Sequence, residues 1–177
     1  MKYQTTENVQ SIPINEIQPF RNHPFTVADN EDMAKIVESI GKLGLENIPV
    51  IVREMTDDEA VIAMVDANLQ REHILPSEKA FAYKMKLEAI SHQGKACGQV
   101  VHKSRDTVSN TDSGRQVQRY IRLTKLIPQL LKMVDEERIA FSVGVELPYL
   151  DEYEQQDLLE AIELEDKTCL LYTSDAA

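Results

Sequence analysis

Positive charge is scarce in this sequence, and so are the residues that mark secreted or metal-binding proteins. Its 177 residues contain 19 Lys and Arg against 30 Asp and Glu, no tryptophan and only two cysteines. The net charge of −11 excludes indiscriminate attraction to polyanions such as bulk nucleic acid. Cys97 and Cys169 lie far apart in the sequence and are not placed like a disulfide framework or a metal knuckle.

Other signals are missing as well. No apolar run approaches the ~18–20 residues that a membrane span needs, and the stretch 1–10 is polar, without a signal-peptide core. There is no phosphate-binding glycine loop of the Walker type and no nucleophile with an obvious base. The histidines show no metal-ligand spacing: His23, His73, His92 and His102. Because 42% of residues are hydrophobic, the chain can still bury a core, and we expect a soluble cytosolic protein of one or two domains.

The positive charge that does occur is concentrated in the middle of the chain. Residues 84–125 contain nine Lys and Arg and three acidic residues, whereas residues 1–83 carry a net −7 and residues 126–177 a net −10. A basic segment between acidic flanks is a local footprint that can bind a phosphate backbone despite the overall charge. Charge alone does not distinguish it from an ordinary solvated surface.

Apolar periodicity predicts an α+β fold that is mostly α. Two short β-branched runs, 12–17 and 48–53, predict strands, the first interrupted by Pro13. Met33, Ile36, Val37 and Ile40 share one helical face. Helices are predicted to begin near Asp29, Asp57, Pro76, Ser113, Pro128 and Asp151, with Ser77 as an N-cap.

The helix predicted from Ser113 to about Leu126 carries the strongest functional signal. At 100° per residue, one side presents Val117, Tyr120, Ile121 and Thr124, and the opposite side presents Arg115, Arg119 and Arg122. Gln116 and Gln118 flank these arginines. Such a helix suits a helix-turn-helix recognition helix, because guanidinium groups can bind guanine edges or phosphates and amides can bind adenine.

An amphipathic helix whose arginines are merely solvated explains the same pattern about equally well. The preceding helix of a helix-turn-helix would have to lie within residues 103–110, which is short and weakly patterned. Lys103 and Arg105 in that stretch are candidate phosphate contacts.

Three segments together resemble the ParB family of partition proteins over roughly residues 10–165. Residues 12–21 resemble the family's opening strand and its Gln-Pro-x-Arg loop. Residues 68–72 and 75–80 resemble the Glu-Asn-x-Gln-Arg box and the start of the helix that follows it. Residues 113–128 resemble the recognition helix and its Arg-Leu-x-x-Leu-x-Pro exit.

The resemblance implies a ParB-like N-terminal domain (residues 10–75), in which CTP with Mg²⁺ is bound, and a helical helix-turn-helix domain (residues 76–165). It also implies a palindromic double-stranded DNA site, a ParA-type ATPase partner, a homodimer and a nucleoid-associated place in the cytoplasm, with no membrane partner. Carried over by position, the nucleotide-binding residues are Gln18, Arg21, Asn68, Gln70 and Arg71.

The sequence departs from the family pattern at the nucleotide site. The family's Gly-x-Arg-Arg phosphate motif has no counterpart, because residues 45–47 lead directly into the second strand. Losing two arginines removes charge-assisted bonds of ~1.5–3 kcal/mol each, so we hypothesise that nucleotide binding is weak or absent. The box glutamate is replaced by Ala67, and Asp66 beside it would have to replace that glutamate from a different helical angle.

The C-terminal part departs too. The first helix of the helix-turn-helix is degraded, and the sequence ends without room for the family's dimerisation domain. Residues 166–177 are unlike a domain end, and we interpret them as a tail that is not native.

The leading interpretation is a sequence-specific, ParB-type DNA-binding protein of a chromosome, plasmid or mobile element. The alternatives are a CTP hydrolase or nuclease of the same family, and a defective copy that acts only as an interaction module.

Overall fold

The structure is mostly helical, as predicted, with one small sheet. The computed structural model describes residues 9–27, 31–94, 108 and 112–174, with the side chains of all of these except 93–94 and 166–174. The described part contains seven α-helices: α1 (Glu31–Leu43), α2 (Asp57–Asn68), α3 (Pro76–Gly94), α4 (Gly114–Leu123), α5 (Pro128–Asp135), α6 (Phe141–Gly144) and α7 (Glu152–Ser174). No helix in this part of the chain is both long enough and apolar enough to cross a bilayer.

The sheet has two antiparallel strands, β1 (Val9–Pro13) and β2 (Asn47–Ile51), with Ile12 opposite Ile48. Only Ile12 and Pro13 of the first predicted strand lie in β1, and the rest of that prediction is wrong, because Ile14–Glu16 form a 3₁₀ turn. Proline has no N–H to donate to the strand ladder, and the strand accordingly ends at Pro13.

Helix α1 forms where the apolar spacing predicts it, and its apolar face is open. Ile36, Val37, Ile40 and Leu43 each keep between 40% and 68% of their surface exposed. The helix ends before Gly44, whose φ of +59° suits glycine better than residues with a Cβ. The apolar spacing thus predicted the helix correctly. The same spacing usually marks a face that packs into a core, but no residue of α1 is buried against the described residues.

Phe25 docks the loop after β1 onto the helices. Its side chain is buried in a cluster with Val65 of α2 and Ala82 of α3. The buried carboxylate of Glu78 accepts hydrogen bonds from the backbone N–H of Thr26 (2.6 Å) and of Leu75 (3.2 Å). One carboxylate therefore holds the approach to α3 together with a loop residue 52 positions before Glu78 in the sequence.

Helices α2 and α3 begin at Asp57 and Pro76 as predicted, but the N-cap predicted for α3 is wrong. Helix α2 is capped by Thr56 in a reciprocal capping box with Glu59, and the hydrogen bonds from Thr56 lower the pKa of the Glu59 carboxyl. Ser77 does not cap α3, because it lies inside the helix. Its N–H donates instead to the Asp135 carboxylate at 2.9 Å. An acidic side chain that is distant in the sequence therefore accepts from an N–H that has no partner within the helix.

The main core lies between α3, α4, α5, α6 and α7. It is built from buried aliphatic residues: Leu123, Leu126, Leu130, Leu131, Val134, Val145 and Leu159. Gln155 of α7 is buried beside it and binds three backbone groups, accepting from Ile127 N–H (2.9 Å) and donating to the carbonyls of Leu150 and Lys125. This amide ties the last helix to the loops on either side of α5 and α6.

Gly144 is required by the close approach of α6 to α5. A Cβ at this position would lie 2.7 Å from Cγ2 of Val134, a stiff β-branched side chain that is itself buried. We expect Gly144→Ala to lower the free energy of unfolding by about 1–3 kcal/mol through overpacking. Chemical denaturation measures this change.

Gly41→Ala is the matched control, because a Cβ there meets nothing within 4 Å inside helix α1. We expect it to be neutral or stabilising, by up to about 1 kcal/mol from helix propensity. Equal losses in both variants would contradict the packing explanation.

Candidate nucleic-acid interface

Helix α4 is anchored along one side and capped at its start. Ser113 is the N-cap, and its hydroxyl accepts from the N–H of Gln116 at 3.3 Å. Val117 and Leu123 are fully buried, and Tyr120 and Ile121 pack beside them. The predicted inner side of the helix is therefore the side that packs, and the helix ends at Leu123, three residues before the predicted end.

The three arginines of α4 differ in their surroundings. Arg115 is exposed and makes no hydrogen bond or ion pair with another described residue. Arg119 and Arg122 are half-buried, because aromatic residues from outside α4 lie against them. The guanidinium carbon of Arg119 lies 5.1 Å from the ring centroid of Phe141, and that of Arg122 lies 4.8 Å from the ring of Tyr149.

The glutamines of α4 are half-buried beside these arginines. The Oε1 atom of Gln116 accepts from Nη1 of Arg119 at 3.2 Å. The amide of Gln116 is thus bound to a residue of the same helix. Gln118 lies beside the side of the helix that carries the exposed Arg115. No pattern in the sequence predicted the aromatic and acidic residues around Arg119 and Arg122, which are Phe141, Glu146 and Tyr149.

The start of α4 is fixed to α3 by a polar cluster. The hydroxyl of the buried Tyr83 donates to Asp112 Oδ2 at 2.5 Å, and Lys79 Nζ lies 3.7 Å from the same oxygen. Lys79 also lies over the ring of Tyr120, 5.3 Å from its centroid. Asp112 immediately precedes the N-cap, so these contacts set where the helix begins.

Lys103 and Arg105, with the whole predicted first helix of the helix-turn-helix except Val108, lie outside the described residues. Val108 is fully buried and packs in one cluster with Tyr83 and Val117. Val108 therefore lies against both α3 and α4.

The residues predicted for nucleotide binding lie on two segments that Phe25 brings together. Gln18 and Arg21 are exposed in the loop that contains Phe25. The guanidinium of Arg71 lies over the ring of Phe25, 5.8 Å from its centroid. Gln70 is exposed after α2, and Asn68 uses its amide to cap the carbonyl of Met64 at 2.8 Å.

Asp66, considered as a replacement for the family's glutamate, already has a partner. Its Oδ1 accepts from Nζ of Lys86 at 2.5 Å, and the Lys86 side chain is only 6% exposed. A buried ammonium without a counter-ion is costly, so releasing Asp66 to a metal ion would leave an uncompensated charge. Among the described side chains, no cluster of three or more His, Cys, Asp or Glu residues could hold a metal ion.

Comparison with known proteins places this chain near one family. Residues 1–62 match the family model described as ParB N-terminal domain. The match includes Gln18 and Arg21 and ends within α2, before the segment 68–72. The resemblance to ParB proteins predicted from the sequence motifs is confirmed by this match and by the relatives below.

The curated relatives include nucleoid occlusion proteins. That of Geobacillus sp. (strain WCH70) is 27% identical over 141 residues, covering 62% of this chain and 50% of the relative. Those of Geobacillus thermodenitrificans (strain NG80-2) and Bacillus mycoides (strain KBAB4) are 28% and 29% identical, covering 60% and 59% of this chain. This chain spans about half the length of the relatives it matches.

We expect the dissociation constant of CTP, measured with Mg²⁺, to lie above the micromolar range. The Gly-x-Arg-Arg motif is missing, and the Asp66 carboxylate is bound to Lys86. Titration with fluorescent CTP measures this affinity, with fluorescent ATP as the control for unspecific triphosphate binding. Saturable micromolar binding of CTP, but not of ATP, would contradict the expectation.

Proposed function

We propose that this ParB-like chain is a sequence-specific DNA-binding protein that acts in partition of a chromosome, plasmid or integrated mobile element. The proposal rests on the family relationship and on the geometry of α4. The relatives that carry the name nucleoid occlusion protein favour a nucleoid-associated place in the cytoplasm.

The single observation that carries the proposal is the two-sided environment of α4. One side is buried through Val117 and Leu123, which fixes the orientation of the helix. The other side presents an exposed Arg115 together with the half-buried guanidinium groups of Arg119 and Arg122. A helix that is held rigidly and presents several guanidinium groups is what a major-groove recognition helix requires.

The charge distribution supports contact with DNA at this place. Helix α4 lies in the basic segment 84–125, whereas the described part of α7 alone contains six acidic residues between Glu152 and Glu165. Acidic surfaces repel DNA, so approach through the arginine side of α4 is favoured over approach through α7. The DNA contacts proposed here are Lys103, Arg105, Arg115, Gln116, Gln118, Arg119 and Arg122.

Selection of bound sequences from a random pool of duplex DNA tests the proposal directly. We expect enrichment of one consensus, and a palindromic consensus would support the pairing of two protomers. Addition of a ParA-type ATPase to the selected complex then tests that partner. Recovery of random sequences only would contradict site-specific binding.

We expect Arg115→Ala to weaken binding to the selected site by about 1–3 kcal/mol if Arg115 binds a base edge. Its exposure means that truncation removes a DNA contact without disturbing the core. Fluorescence anisotropy on the selected site measures the loss. If Arg115 binds only a phosphate, the affinity falls equally on all sequences and the salt slope decreases by about 1.

Lys42→Ala is the matched control for the loss of one positive charge. Lys42 is exposed on α1 and pairs with Glu38 in its own helix. We expect its affinity to stay within the experimental error of the unmodified chain. An equal loss in both variants would indicate an effect of net charge and not of the α4 surface.

A CTP hydrolase is the second candidate, because Phe25 brings the loop of Gln18 and Arg21 beside Arg71. Measuring phosphate release from CTP, with and without the selected DNA, distinguishes it from a protein that only binds DNA. DNA-stimulated release would favour the hydrolase.

A further inference from the structure

Two of the α4 arginines are held by aromatic rings that follow in the chain. Arg122 lies over Tyr149, at the end of the 3₁₀ turn Leu147–Tyr149, and Arg119 lies over Phe141 at the start of α6. Phe141 also packs against Tyr120, with ring centroids 4.8 Å apart. The rings thus come from one segment placed against the side of α4.

The exposure of Tyr149 shows that its ring does little for the core. It keeps 70% of its surface exposed, although its face meets Arg122. A cation–π contact uses the charge of the guanidinium and none of its N–H donors. The ring therefore restricts the arginine without occupying the groups that bind a phosphate.

We propose that Phe141 and Tyr149 are positioning residues that hold the guanidinium groups of Arg119 and Arg122 for DNA phosphates. The inference rests on the proposed DNA-binding function. Fixing a long side chain before binding reduces the conformational entropy lost in the complex, which raises affinity without any new contact to DNA.

Glu146 completes the arrangement as a counter-ion for Arg122. Its Oε1 lies 4.0 Å from Nη1 of Arg122, and its side chain is 68% exposed. An exposed ion pair of this length is weak, whereas a phosphate can form charge-assisted bonds with the same donors. DNA is therefore expected to displace Glu146, and Glu146 lowers the affinity that Arg122 would otherwise give.

Tyr149→Ala tests the positioning role, because its ring can be removed without opening the core. We expect three- to fivefold weaker binding to the selected DNA, as exposed cation–π contacts are worth about this factor. Tyr149→Phe keeps the ring and is expected to restore affinity to within twofold. Tyr153→Ala is the control, since Tyr153 is 85% exposed and has no cation–π contact among the described residues.

A double-mutant cycle separates positioning from a separate DNA contact by Tyr149. Combined with Arg122→Ala, the Tyr149→Ala change is expected to cost no further affinity, because the ring then has no guanidinium to hold. Additive losses would overturn the inference, as would equal affinities of the Tyr149→Ala and Tyr153→Ala variants.

Glu146→Gln gives a test of opposite sign. We expect up to about threefold tighter binding, since the competing carboxylate is lost, and Glu136→Gln, immediately after α5, is the control of equal charge. Unchanged affinity, or equal tightening in both, would overturn the counter-ion role.

Nuclear magnetic resonance of the Arg122 side chain gives a readout that does not depend on DNA. Ring currents from Tyr149 are expected to shift the Nε–H proton of Arg122, and Tyr149→Ala should remove this shift. No such change would overturn the positioning role even if the chain binds DNA. If the unmodified chain binds no DNA in the selection, the proposed function is wrong, and the positioning of arginines for phosphate is then wrong as well.

Discussion

Everything that the candidate interface presents depends on how firmly α4 is packed against α3. The contact is built around Tyr83, which is almost fully buried and touches both Val117 in the core and Asp112 before the helix. An apolar ring body and a polar tip let one residue fix both the face and the starting point of α4. If this contact were loose, the arginines would have no fixed direction, and their spacing along the helix would have no consequence for DNA.

The same arrangement shows how an acidic protein can carry the proposed nucleic-acid surface. The acidic residues are partly used inside the fold, where Glu78, Asp66 and Asp135 bind backbone N–H groups or a buried lysine. Others lie along α7. Arg119 and Arg122 are instead placed against aromatic rings, and Arg122 has only one weak counter-ion, so their charge is kept largely available.

The N-terminal part contrasts with this packed unit. Its two-stranded sheet and α1 leave large aliphatic side chains open, and among its described residues before α2 only Phe25 is buried. The match to the ParB N-terminal domain covers this part of the chain. We infer that the C-terminal core, rather than this part, supplies most of the stability of the described fold.

Much of the local structure could be predicted from the sequence, because helices follow from apolar spacing and turn residues. Helix α5 begins at Pro128 as predicted, and α7 begins within one residue of Asp151. Capping was predicted less well, because Ser77 lies inside α3 and its N–H donates to Asp135. Caps depend on single hydrogen bonds, some of them to residues far away in the sequence. The spacing of apolar residues along one helix does not predict such bonds.

By itself, the sequence determined the helices, the segregation of charge into three segments and the spacing of Arg115, Arg119 and Arg122 along one helix. Only the tertiary structure decided that Arg115 is free of described partners while Arg119 and Arg122 lie over Phe141 and Tyr149. The physical reason is that spacing fixes the angle of a side chain around its own helix. What that side chain meets is set by how a second element packs against the helix, and here that element begins about 20 residues later.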